Sequence, residues 1–110
     1  MRLPNGEHAV ADLVKLRDYV LNPQRPRGRH KARVFASALD IRQSHAESLR
    51  AGLLRAALEE NAVEGEQDSY GLRCIVDFKC VRAEKSAIVR SHWIILSDED
   101  SPRLVTCFVL

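Results

Sequence analysis

Residues 22–35, N-P-Q-R-P-R-G-R-H-K-A-R-V-F, set six basic side chains and two prolines in one short run. Guanidinium forks match phosphate oxygens two at a time, and the first amides of a helix favour an anion. Gly28 followed by Arg29, His30 and Lys31 at a helix start therefore has the makings of a phosphate site, with His30 and Lys31 close to the ligand. The plainer reading is a solvated loop, because a charge run such as Arg25, Arg27 and Arg29 ordinarily meets only water.

A second set of cations comes from strand alternation. In Y-G-L-R-C-I-V-D-F-K-C (70–80), Tyr70, Leu72, Cys74, Val76, Phe78 and Cys80 point one way, and Arg73, Ile75, Asp77 and Lys79 the other. In S-A-I-V-R-S-H-W-I-I-L (86–96), Val89, Ser91, Trp93 and Ile95 oppose Ile88, Arg90, His92 and Ile94. The closing R-L-V-T-C-F-V-L adds Arg103 or Thr106 to the polar face, depending on parity. Several cations beside one imidazole suit a phosphate-containing ligand, and a histidine can move a proton near neutral pH. A half-polar antiparallel sheet is also ordinary, and scattered Arg and Lys on it usually face solvent.

These residues need a scaffold. Asp12 can cap a short helix with Leu13, Leu16 and Val20 on its inner face. Pro23 and Pro26 stop that helix. Arg29 to Leu39 reads as a second helix that buries Ala32, Phe35 and Leu39. Ser44 and Glu47 fit a capping box for a third helix to about Glu60, with Leu49, Leu53, Ala56 and Ala57 as its apolar stripe. The last strand is apolar on both faces and is expected at the centre of the sheet, held by neighbours on both sides. Helices followed by strands predict an α+β fold, with three N-terminal helices packed on one face of a C-terminal antiparallel sheet of three or more strands. Residues 1–110 are expected to form a single domain, with a helical part at about 12–61 and a sheet part at about 69–110.

Composition limits the function classes. At 110 residues, 45% apolar, the chain can build one core without disulfide or metal. A net charge of +2 is too small for a histone-like field, so any basic function must be local. Cys74, Cys80 and Cys107 lie in apolar runs without C-x-x-C spacing and read as buried thiols of a reducing compartment. The start of the chain lacks a signal-peptide apolar stretch, and no segment approaches a membrane span. A cytoplasmic location is expected, with no metal and no cofactor. No H-E-x-x-H, Walker-type run or carboxylate pair is present.

The runs LPNGEHAV (3–10), KLRDYVLNP (15–23), PRGRHKARVFASAL (26–39), VRSHWII (89–95) and DEDSPRLVTCFVL (98–110) resemble a bacterial domain family of unknown function. It is found at the C-terminal tips of polymorphic toxins and as free-standing small proteins. The most specific stretches are G-R-H-K-A-R-V-F (28–35) and P-R-L-V-T (102–106). Helices before a sheet also resemble the metal-independent ribonuclease folds of barnase, colicin ribonucleases and RelE-type toxins, a fold-level analogy. Cys107-Phe108 departs from the family's small residue followed by tyrosine, so a role carried by that hydroxyl is in doubt here.

The resemblance implies RNA cleavage by attack of a ribose 2′-OH on its own phosphate. In that scheme His30 or His92 moves protons, Lys31, Arg90 and Arg103 hold the phosphate, and Ser91 or Thr106 donates a hydrogen bond. Arg29 and Arg73 are further phosphate-binding candidates. The partners implied are RNA and a cognate immunity or antitoxin protein, with a homodimer as an alternative assembly. Two other readings remain open: a non-catalytic interaction protein of a two-gene module, and a domain that binds a phosphate-bearing small ligand.

Overall fold

The computed structural model describes all of residues 1–110. Helix α1 begins at Leu13–Lys15, where the Asp12 carboxylate accepts from the amides of Val14 (2.9 Å) and Lys15 (3.3 Å). It continues as a π turn over Leu16–Val20, closed by Leu21 N–H donating to Leu16 O at 2.9 Å. Helix α2 spans Arg29–Leu39 and α3 spans Ala46–Glu59. Their buried residues are Ala32, Phe35 and Leu39 in α2, and Ala46, Leu49, Leu53, Ala56 and Ala57 in α3.

The capping box expected from Ser44 and Glu47 does not form. A 3₁₀ turn, Gln43–His45, leads into α3 instead, and the His45 Nδ1 accepts from the Arg42 amide at 3.0 Å. The imidazole thus takes the reach-back role expected of Glu47.

Four strands follow: β1 Ala62–Gln67, β2 Gly71–Arg82, β3 Lys85–Leu96 and β4 Arg103–Val109. They form one antiparallel sheet in the order β1-β2-β3-β4. The helices cover one face, where Cys74, Val76, Phe78, Val89, Ser91, Trp93, Leu104 and Cys107 are buried. Trp93 is wholly enclosed, and its Nε1 donates to the Ser91 hydroxyl at 2.8 Å, which in turn donates to Val76 O at 2.6 Å. A buried indole N–H is thereby satisfied without water.

The class is mixed α+β, but the expected layout needs correcting in three respects. The first helix is a single α turn running into a π turn. The sheet starts at Ala62 rather than near residue 69, since β1 pairs Ala62 with Val76 and Val63 with Ile75. Its sequence, A-V-E-G-E-Q, shows no apolar alternation because all but Ala62 is exposed. Finally, β4 is an edge strand, not a central one.

The apolar character of β4 has another origin. A bulge sets His92 opposite Thr106 but Trp93 opposite Leu104. The extra residue turns the strand over, so Leu104 and Cys107 both face the core. Arg103 and Thr106 consequently both lie on the uncovered face, opposite Ile94 and His92. The choice between them that simple alternation posed does not arise.

Candidate functional site

The uncovered face carries the expected cations, but its three arginines are neutralised and only Lys79 is left without a carboxylate. Arg90 donates from Nε and Nη2 to the two Asp77 oxygens, both at 2.9 Å. Arg103 does the same to Glu99 at 2.6 and 2.7 Å. Arg73 lies 3.7 Å from Asp68. Each partner carboxylate is held below its ordinary range, Asp77 and Glu99 chiefly by these hydrogen bonds and Asp68 chiefly by the Tyr70 amide. Arginines already forked onto carboxylates are poor first choices for phosphate.

The free cations gather elsewhere. A cleft of about 190 Å³ runs beside β4 and is lined by Lys15, Tyr19, Arg25, Arg27, Lys31 and Thr106, among others. α1 and its π turn supply Lys15 and Tyr19. The loop between α1 and α2 supplies Arg25 and Arg27. The Asn22 side chain folds that loop, donating to Asp18 O at 3.1 Å and accepting from the Gln24 amide at 2.9 Å. Arg25 is thereby returned over the Tyr19 ring, its guanidinium carbon 3.9 Å from the centroid. Gly28 ends the loop at φ 83°, a left-handed conformation that glycine adopts freely, and also lines the cleft. None of Lys15, Arg25, Arg27 and Lys31 is ion-paired with a carboxylate.

The β4 side of the cleft is an edge. Leu110 N–H donates to Ile88 O at 2.9 Å, so by strand alternation the Cys107 amide turns away from β3, toward the cleft that Cys107 lines. Cys107 itself is fully buried, so the cleft offers four cations and the Thr106 side chain. That donor set suits an anion.

Lys31 links this cleft to His92. Its Nζ stands 4.6 Å from the Phe108 ring centroid, and that ring lies 5.6 Å from the His92 ring at 34°. The imidazole Nε2 is enclosed and has no hydrogen-bond partner. Burial lowers the His92 pKa first, then the charges of Arg90 and Lys31, against a smaller opposing pull from Asp77. The ring is therefore neutral near pH 7 and able to accept a proton.

Of the residues singled out in the sequence, Lys31, Thr106 and His92 come together. Arg90, Arg103 and Arg73 share the uncovered face but are carboxylate-bound. His30 and Arg29 are exposed on α2 and do not line the cleft. Ser91 is fully buried on the helix-covered face, holding Trp93 and Val76, and cannot reach a ligand on the other face. Lys15, Tyr19, Arg25 and Arg27 were not assigned from sequence. Their one signal was the bunching of arginines around Pro23 and Pro26, which reads equally well as a solvated loop.

The cysteines are not nucleophiles in this arrangement. Burial pushes the Cys107 thiol up to about 12, and Cys74 and Cys80 are raised for the same reason. No group of three or more His, Cys, Asp or Glu is arranged so that it could hold a metal ion. No helix is long and apolar enough to cross a membrane.

No curated protein matches the sequence. Among solved structures, the fold is similar to a chain of the "Contact-dependent growth inhibition toxin - immunity protein complex from Klebsiella pneumoniae 342". The TM-score is 0.71 at 18% identity, covering 92% of this chain and 99% of that one. The likeness is one of fold. The sequence itself matches a family model, described as "Domain of unknown function (DUF6883)", over residues 2–110, and the chain belongs to that family.

Proposed function

We propose that this domain is the RNA-directed member of a toxin–immunity pair and grips the RNA backbone in the cleft beside β4. The observation that carries the reading is the convergence of Lys15, Arg25, Arg27 and Lys31, all free of carboxylates, on one cleft. The sheet arginines Arg73, Arg90 and Arg103 are paired with carboxylates, and other unpaired cations such as Arg29, Arg33 and Lys79 lie outside the cleft, so it is the convergence of four in one place that marks it. The fold likeness to a chain of a toxin–immunity complex supports the pairing with a cognate protein. On this reading the domain works in a cytoplasm, where RNA is.

Cleavage follows the 2′-OH route. The hydroxyl oxygen attacks its neighbouring phosphorus while a base takes the proton. The 5′-oxygen of the next nucleotide leaves, taking its proton from water, and a 2′,3′-cyclic phosphate remains. Lys31 and Arg27 stabilise the doubly charged phosphorane, and Thr106 donates a hydrogen bond to it. His92, across the ladder from Thr106 and neutral near pH 7, is the proton acceptor, which requires the Phe108 ring to move aside and open its enclosed Nε2 to the substrate.

The test is RNA cleavage in EDTA, with end-group analysis for cyclic phosphate. Arg27→Ala and Lys31→Ala weaken RNA binding and cleavage together. His92→Gln keeps binding and slows cleavage by about 10²-fold or more. Wild-type protein that neither binds nor cuts RNA overturns the proposal.

One observation favours a second reading, a non-catalytic interaction protein of the same kind of pair. The His92 Nε2 is enclosed beside Phe108, which shuts the one imidazole near the cleft away from substrate. RNA that stays intact, together with tight association with the cognate partner, selects that reading.

A further inference from the structure

Tyr19 and Arg25 do more than add charge to the cleft. Tyr19 is half exposed, at 49%, although it lines a cleft to which Lys15, Arg25, Arg27 and Lys31 also contribute. One side of the ring carries the Arg25 guanidinium at 3.9 Å, close to stacking separation. Arg25 has no carboxylate partner to hold it there, so the ring itself fixes its position. The Asn22 turn and the flanking prolines stiffen the backbone on which it sits. The result is a preformed aromatic–guanidinium surface in the lining of a cluster of donors.

A phosphate alone makes no use of such a surface. A nucleobase does, because every base has a π face that stacks on tyrosine or on a guanidinium plane. In a duplex those faces are already occupied by neighbouring bases. We infer that Tyr19 and Arg25 form a base-stacking platform, so that the cleft selects an unpaired nucleotide of single-stranded RNA over duplex. The inference rests on the proposed phosphate role of the cleft. It adds the substrate class: a strand with at least one base free to leave its stack, next to the phosphate held by Arg27 and Lys31. Sequence preference is weak on this account, since stacking tolerates all four bases.

The experiment compares three probes on the full chain by fluorescence anisotropy or competition: a single-stranded RNA, a blunt RNA duplex of equal length, and inorganic polyphosphate. Wild type binds the single strand more tightly than the duplex. Tyr19→Ala weakens single-strand binding about tenfold and removes the preference, while polyphosphate binding stays within about twofold. Tyr19→Phe keeps the ring and keeps both affinity and preference. Arg25→Lys keeps the charge but loses the planar fork, and weakens the single strand more than polyphosphate. Thermal melting confirms that each variant is folded, and Arg25→Lys carries the test should the alanine variant melt early. If wild type prefers neither strand form, or Tyr19→Ala weakens polyphosphate as much as RNA, the platform is wrong while the phosphate cleft stands. If wild type binds neither RNA nor polyphosphate, the cleft reading fails and the platform with it.

Discussion

His92 shows how one residue's surroundings set both its chemistry and a stability signature. Its imidazole loses water to Phe108 and the sheet, and it faces the cations Arg90 and Lys31. Asp77 offsets them only in part, because that carboxylate is already forked by Arg90. The folded state therefore binds a proton at His92 less readily than the unfolded chain does. The contribution to stability is complete above the unfolded value, about 6.5, and is lost as pH falls below it toward the lower folded value. Thermal melting from pH 8 to pH 5.5 is expected to show a falling midpoint, and His92→Gln to flatten that fall. A wild-type midpoint flat across this range counts against the neutral, enclosed ring. The sequence placed His92 on the right face but could not show its enclosure, which depends on Phe108 and Lys31 arriving from other elements. It did hold one unused signal. A two-residue turn at Ala83–Glu84 sets Arg82 opposite Lys85, and counting back along the hairpin puts Asp77 opposite Arg90. The neutralisation of Arg90 was legible from that register.

At the scale of elements, the central hairpin was the most readable part, because β2 and β3 alternate strictly and each has one buried face. The edges were the least readable. β1 is polar and short, as edge strands that resist self-pairing often are, so no periodicity announces it. β4 breaks alternation at a bulge, which no sequence pattern marks. The start of β2 illustrates how close pairing constrains such strands. Gly71 has φ 155°, and a Cβ there would collide with the Ile95 carbonyl of β3. Its carbonyl also closes the loop by accepting from Asp68 N–H at 3.1 Å. Gly71→Ala must either push β3 away or twist the backbone, and is expected to cost about 2 kcal/mol or more. Denaturant unfolding measures this, with Gly28→Ala as a contrast. Gly28 also has a positive φ, but its Cβ would meet nothing within 4 Å, so it pays for the conformation alone. Equal losses at the two positions would show that contact with Ile95 is unimportant.

For the molecule as a whole, a net charge of +2 conceals a separation. β1 and β4 stand at opposite edges of the sheet. The β1 side carries Glu64, Glu66 and Asp68 in and just beyond the strand, while the cleft beside β4 gathers Lys15, Arg25, Arg27 and Lys31, with the acidic Asp98–Asp100 turn confined to the start of β4. On the proposed function, a polyanion is turned toward the cleft before it makes contact and is then held by the phosphates that these few cations neutralise, not by the net charge. Two sets of variants separate these effects. Glu64→Gln with Glu66→Gln raises the net charge by two without touching the cleft, whereas Lys31→Ala lowers it by one inside the cleft. Each phosphate neutralised on a single strand contributes a slope of about −0.7 to log affinity against log salt, so three or four contacts give about −2 to −3. Lys31→Ala is expected to make that slope shallower by about 0.7, while the double glutamine variant leaves it unchanged and alters only the association rate. A slope that steepens with the glutamine variant and ignores Lys31 would mean that RNA is held by the overall charge of the molecule, with no seat beside β4.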